Sequence, residues 1–118
     1  MFKPLSGSSG NVIGFKIGED ITAEDVDDMS KLISEVIGAC GKVRLLLEIE
    51  GFRHMEQEDL LAKLRFAVDH ESAIERTAVL SNRVWIKSWV KVGGFLNSTE
   101  IEHFDRHDAE AAWNWIRA

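Results

Sequence analysis

Cysteine occurs once in the 118 residues, at Cys40, and proline once, at Pro4. A lone cysteine excludes an internal disulfide and leaves no thiolate set for structural zinc, which fits a reducing compartment. No apolar run approaches the roughly 18 residues that a spanning helix needs. The opening Met1-Phe2-Lys3-Pro4 lacks the charged-then-apolar pattern of a secretory signal, so a cytoplasmic protein is expected. With 45% apolar and 29% charged residues, the composition excludes disorder and low-complexity or collagen-like architecture. One globular domain over residues 1–118 is expected, with its stability resting on a packed core.

Acidic residues are missing from Thr77 to Thr99, where Arg83, Lys87 and Lys91 supply three positive charges. The rest of the chain is correspondingly acidic, and the net charge is −6. This balance excludes a general nucleic-acid binder, since phosphate contacts need a positive surface. A basic apolar segment in an acidic chain instead marks a candidate contact surface.

The periodicities define an element order. Phe2–Leu5 and Val12–Ile17 are short extended runs joined by Gly7-Ser8-Ser9-Gly10-Asn11, the pattern of an antiparallel hairpin. Thr22 and Asp25 form a capping-box pattern ahead of Val26, Met29, Ile33, Val36, Ile37 and Cys40, which recur at helical spacing. That predicts a helix from Ala23 to Cys40 with Cys40 buried as an inert thiol, and Gly41 as a left-handed cap. Val43–Glu50 reads as a strand buried on both faces. A second helix is expected from Glu56 to His70, a strand at Thr77–Leu80 and a third helix from Asn82 to Val92. Glu100–Phe104 alternates in polarity as an edge strand does, and Asp108 is placed to cap a last helix bearing Ala109, Ala112, Trp113 and Ile116. Alternating strands and helices require crossovers. The expected fold is therefore α/β, a mixed five-stranded sheet with an antiparallel N-terminal hairpin and later strands parallel, flanked by four helices.

Three stretches then resemble a known family: Gly41 to Phe52, the strand Ala78-Val79-Leu80 with the Trp-rich segment after it, and the ending Glu102-His103-Phe104-Asp105 with Trp113-Asn114-Trp115-Ile116. Together they resemble the SpoIIAA-like family of small bacterial STAS-related proteins, whose fold is also compared with lipid-binding CRAL-TRIO domains. The resemblance extends over essentially the whole chain and implies a binding or regulatory domain. STAS proteins that antagonise anti-sigma factors carry a phosphorylatable Ser or Thr at the start of the helix after the central strand. Here that junction reads Glu50-Gly51-Phe52-Arg53-His54-Met55-Glu56-Gln57, with no hydroxyl residue. A partner-binding role without that switch is compatible with it.

Two constellations are candidates for function. At the carboxyl end of the central strand, where open parallel sheets bind ligands, Glu48 and Glu50 share a face with His54 nearby. One reading is a Glu/His acid–base pair; the other is ion-paired glutamates beside a solvated histidine. The second is the third helix, where about 100° per residue sets Val92, Trp85, Trp89, Ile86 and Val90 on an arc of about 160° opposite Lys87, Lys91 and Ser88. Core packing with snorkelling lysines, a subunit interface or apolar ligand wall, and docking on a membrane surface compete for this face. Phe95 and Leu96, after Gly93-Gly94, suit a mobile apolar lip.

His103 and His107 fall across a strand end, so their spacing is not a metalloprotease pattern, and Asp105 and Asp108 beside them read as a surface cluster rather than a metal site. No phosphate-cradling glycine loop or nucleophile elbow is present. The pattern predicts non-catalytic binding of an apolar or lipid-like small molecule, with no cofactor and no metal. Phe52, Met55, Trp85, Trp89 and Phe95 would wall the ligand, and Glu50, Arg53, His54 and Lys87 would orient its polar end. The alternative is a protein-interaction or homo-oligomeric module using Trp85, Ile86, Trp89 and Val90, and a third reading is an enzyme using Glu48, Glu50 and His54. Membrane contact would be peripheral at most.

Overall fold

A computed structural model describes residues 1–50, 73–83 and 100–118. These form five strands, β1 (Phe2–Pro4), β2 (Val12–Ile17), β3 (Val43–Ile49), β4 (Ile74–Leu80) and β5 (Glu100–Phe104), with helices α1 (Ala23–Cys40) and α2 (Ala109–Arg117). The strands form one sheet in the order β1-β2-β3-β4-β5. β1 runs antiparallel to β2 from Phe2↔Ile17 to Pro4↔Phe15, and all later neighbours are parallel. The expected mixed sheet and its N-terminal hairpin are thus present. Two of the four expected helices are α1 and α2, while those at 56–70 and 82–92 fall outside the described residues apart from their leading Asn82 and Arg83.

β3 is central and buried on both faces, and its side chains alternate between two cores. Leu45, Leu47 and Ile49 join Ile13, Phe15 and Ile17 of β2 under Val26, Met29 and Ile33 of α1. Leu46 joins Val12, Ala78 and Leu80 under Ala112 and Ile116 of α2 on the opposite face. Thr22 and Asp25 close the capping box reciprocally, Asp25 N–H donating to Thr22 Oγ1 at 3.2 Å and Thr22 N–H to Asp25 Oδ2 at 3.1 Å. Gly41 ends α1 at φ +81°, donating its N–H to Ile37 O at 2.7 Å.

Three local expectations are corrected. Cys40 is exposed rather than buried, because the last turn of α1 projects beyond the sheet, with Gly38, Ala39 and Lys42 also exposed. β4 begins at Ile74, three residues before Thr77. Its first turn of strand was masked by Glu75-Arg76, charges that belong to the sheet: Arg76 pairs in register with Arg44, across a bulge at Val43/Arg44. Asp108 precedes α2 but makes no capping bond with its side chain. A 3-10 turn over Arg106–Asp108 leads into α2 instead, with Asp108 N–H donating to Asp105 O at 2.9 Å.

The two adjacent arginines have a common purpose. α2 lies antiparallel to β3, so its carboxyl end hangs over Arg44 and Arg76. Arg44 Nη1 donates to Ile116 O and Arg76 Nη1 to Trp115 O, each at 3.0 Å, supplying cations and donors where a helix leaves carbonyls unpaired. Glu75 lies 3.5 Å from Arg44 Nε, Glu100 lies 3.3 Å from Arg76 Nε, and the Arg76 guanidinium stacks 5.1 Å from the Trp115 ring centroid. These partners offset the repulsion between like charges on neighbouring strands.

Candidate functional site

Parallel pairing of β2 to β5 brings four carboxyl ends to one rim of the sheet. The residues that follow each strand meet there: Gly18-Glu19 after β2, Glu50 after β3, Ser81-Asn82-Arg83 after β4 and Asp105-Arg106 after β5. Backbone and side-chain bonds tie these ends together. Glu50 N–H donates to Ile17 O at 3.0 Å and Ser81 N–H to Phe104 O at 3.1 Å. His103 Nε2 lies 2.7 Å from Ser81 O, and since a carbonyl only accepts, that nitrogen carries the proton. Arg83 N–H donates to Ser81 Oγ at 3.1 Å, and Arg106 N–H to Asn82 Oδ1 at 2.9 Å.

This rim surrounds an open cleft of about 360 Å³ lined, among the described residues, by Glu19, Ile49, Glu50, Asn82, Arg83 and Arg106. Six charged groups stand in or beside it, three of each sign. Arg83 spans the cleft, Nε donating to Glu50 O at 2.9 Å and Nη2 to Glu19 Oε1 at 2.9 Å. Lys16 Nζ lies 3.2 Å from Glu50 Oε1. Arg106 Nη2 lies between Glu48 Oε1 at 3.5 Å and Glu50 Oε1 at 3.8 Å. The cleft therefore offers fixed hydrogen-bonding groups without a large excess of either charge. Such a surface suits a polar group that is oriented by several contacts, as in small-molecule sites with few convergent polar groups.

Of the expected ligand-binding residues, Glu50 lines this cleft, and Glu48 shares its face, since both carboxylates approach Arg106. Phe52, Arg53, His54, Met55, Trp85, Ile86, Lys87, Trp89, Val90 and Phe95 lie outside the described residues, and with them the apolar wall, the Trp-bearing face and the His54 partner of the acid–base reading. Asn82, expected as a helix cap, gives its Oδ1 to the Arg106 backbone. Glu19 and Arg106 are cleft residues that pattern reasoning did not single out, and Arg83 entered it only as part of the basic segment 77–99. Each follows a parallel strand within two or three residues, and that position is the signal that identifies them.

Two other places hold clustered groups. A smaller hollow of about 140 Å³ on the α2 side is lined by Leu5, Ser6, Gly7, Leu46, Glu48, Leu80, Ala109 and Trp113. Asp105, His107 and Asp108 bring one potential ligand atom each within 4.8 Å of one another on the turn before α2, where both His107 and Asp108 are exposed. His103 is not part of that group, its ring being turned to Ser81. Among the described residues no helix is long and apolar enough to cross a membrane.

A mixed sheet of this order, with a helix on each face and a polar cleft beyond its parallel strand ends, defines an α/β domain. The SpoIIAA-like family model matches residues 12–117, and the chain belongs to that family. STAS-like domains of this kind are generally binding and regulatory modules rather than enzymes. Neither the curated proteins nor the solved structures contain a match to the chain.

Proposed function

We propose that the chain is a non-catalytic, cytoplasmic SpoIIAA-like binding protein whose cleft beyond β3, β4 and β5 takes a small amphiphile. The observation that carries this reading is the open cleft of about 360 Å³, placed where parallel sheets bind ligands and ringed by oriented polar groups. Its described wall is polar and suits one end of a ligand. The apolar body would meet Phe52, Met55, Trp85, Trp89 and Phe95, residues that follow the lining residues Glu50 and Arg83 closely in the chain. Arg53, His54 and Lys87 would join Glu50 at the polar end.

Native mass spectrometry of gently purified protein, followed by organic extraction, tests the proposal. The expected result is an adduct at fixed stoichiometry that is released as an amphiphile, with Trp89→Glu abolishing it while the protein remains folded. Repeated clean apo masses, with no change in tryptophan fluorescence on titration with decanoate or decan-1-ol, would refute it. An apo-oligomer dissociated by Trp89→Glu would then move the function to an interaction module built on Trp85, Ile86, Trp89 and Val90.

A further inference from the structure

The three cations of the rim are not equivalent. Arg83 is committed: both of its charge-assisted bonds are 2.9 Å long, and they join the ends of β2, β3 and β4. Lys16 is held at 3.2 Å by Glu50 and is not among the lining residues. Arg106 differs from both. Its backbone is pinned, through the 2.9 Å bond from its N–H to Asn82 Oδ1, yet its guanidinium meets carboxylates only at 3.5 and 3.8 Å. A well-formed bond between a guanidinium and a carboxylate is about 2.7–2.9 Å long and frequently bidentate. The Arg106 side chain is also 39% exposed and lines the cleft. It is therefore a positioned cation whose strong bonds are unmade among the described residues.

Resting on the amphiphile reading above, we infer that Arg106 recognises an anionic head group, a carboxylate or phosphate monoester, by turning its guanidinium from Glu48 and Glu50 into the cleft. Glu50 keeps Lys16 at 3.2 Å when Arg106 leaves. Glu48 has no other ion pair among the described residues, so it competes with the ligand for the same guanidinium. Removing the Glu48 charge must then tighten anion binding, and by more with Arg106 present than in Arg106→Ala, where only the loss of through-space repulsion remains. Arg83 is a positioning residue in this scheme.

The test compares sodium decanoate, decyl phosphate and decan-1-ol, equal in chain length, by tryptophan fluorescence and calorimetry on wild type, Arg106→Ala, Arg106→Lys, Glu48→Gln and Arg106→Ala/Glu48→Gln. Expected are binding of both anions at least tenfold tighter than the alcohol, a loss of about tenfold or more in Arg106→Ala with partial recovery in Arg106→Lys, and a gain of about threefold in Glu48→Gln that is smaller on the Arg106→Ala background. The ratio of decanoate to decyl phosphate affinity distinguishes the two head groups. Binding of all three probes with equal affinity, or unchanged anion affinity in both Arg106→Lys and Glu48→Gln, overturns the inference and leaves the amphiphile reading standing. Binding of none of them overturns both. If Arg106→Ala does not fold, the Glu48→Gln and Arg106→Lys results decide alone.

Discussion

Gly14 is a position where the fold depends on the absence of a side chain. It lies in β2 on the face covered by α2, and an ideal Cβ built there would sit 2.6 Å from Trp113 Cη2, 3.1 Å from Cζ2 and 3.3 Å from Leu5 Cδ1. Gly7 meets the same ring, with a Cβ only 2.9 Å from Trp113 Cζ2. The indole thus lies on a floor of two glycines. The Arg117 guanidinium stacks over the ring at 4.8 Å from its centroid and is itself held by a 2.8 Å bond to Gly7 O. Because the ring is clamped, it cannot swing aside as the tip of a flexible side chain would. Gly14→Ala must therefore push Trp113 off the sheet or strain the strand, an overpacking cost of about 1–3 kcal/mol. Reduced freedom of the unfolded chain offsets about 0.4–1 kcal/mol of that. At a 2.6 Å contact with a held ring the overpacking cost belongs to the upper part of its range, about 2–3 kcal/mol, so the net loss of about 1–2.6 kcal/mol corresponds to a fall in Tm of roughly 4–10 °C for a domain of this size. Gly38→Ala is the matched control, since its Cβ meets nothing within 4 Å and lies in α1, so it should stabilise by about 0.5–1 kcal/mol. Urea unfolding of both variants and of Gly14→Ala/Trp113→Leu checks the reasoning. A Gly14→Ala protein as stable as wild type, or a double variant whose losses simply add, would show that Trp113 does not rest on this floor.

Two further outcomes follow from ion pairs and caps. Arg44→Ala and Arg76→Ala each strip a charged donor from the carboxyl end of α2, and each should cost about 1–2 kcal/mol, with faster amide exchange through Ala112–Arg117; unchanged exchange there would refute the capping role. The Asp25 carboxyl is held below its ordinary pKa of 3.8 by the hydrogen bond from the Met1 ammonium, against desolvation, and by the Thr22 N–H. A depressed carboxyl stabilises fully above its unfolded pKa and loses that contribution as pH falls through the folded one, so urea midpoints should fall less steeply below about pH 4 in Asp25→Asn than in wild type. Parallel acid limbs for the two proteins would contradict this.

Much of the architecture follows from local signals that agree with tertiary packing. Thr22 and Asp25 carry a complete capping box, Gly41 has the left-handed backbone that favours glycine, and the run from Val43 to Ile49 is apolar at all but Arg44 and Glu48 because both faces of β3 are covered. Where pattern and structure part, a long-range partner is responsible. Glu75 and Arg76 stand outside the apolar run Thr77–Leu80 that predicts the strand; only β3, β5 and α2, distant in sequence, make them strand residues. Cys40 keeps the helical spacing of a buried face, but spacing does not reveal that the sheet ends before the helix does.

The candidate site was legible in its location and less so in its members. Glu50 could be named because it ends an unmistakable central strand, and Glu48 because alternation returns it to the same face. Arg106 carries no local sign of its importance, standing between Asp105 and His107 in a polar turn. Its place depends on the β4–β5 register, which sets Leu80 beside Phe104, and so Asn82 within reach of the backbone two residues beyond Phe104. A parallel register of this kind converts equal offsets after successive strands into neighbours in space. The two-residue offset that yields Asn82 from Leu80 and Arg106 from Phe104 is thus the feature by which the rim of such a sheet can be read from sequence, once its strand ends are known.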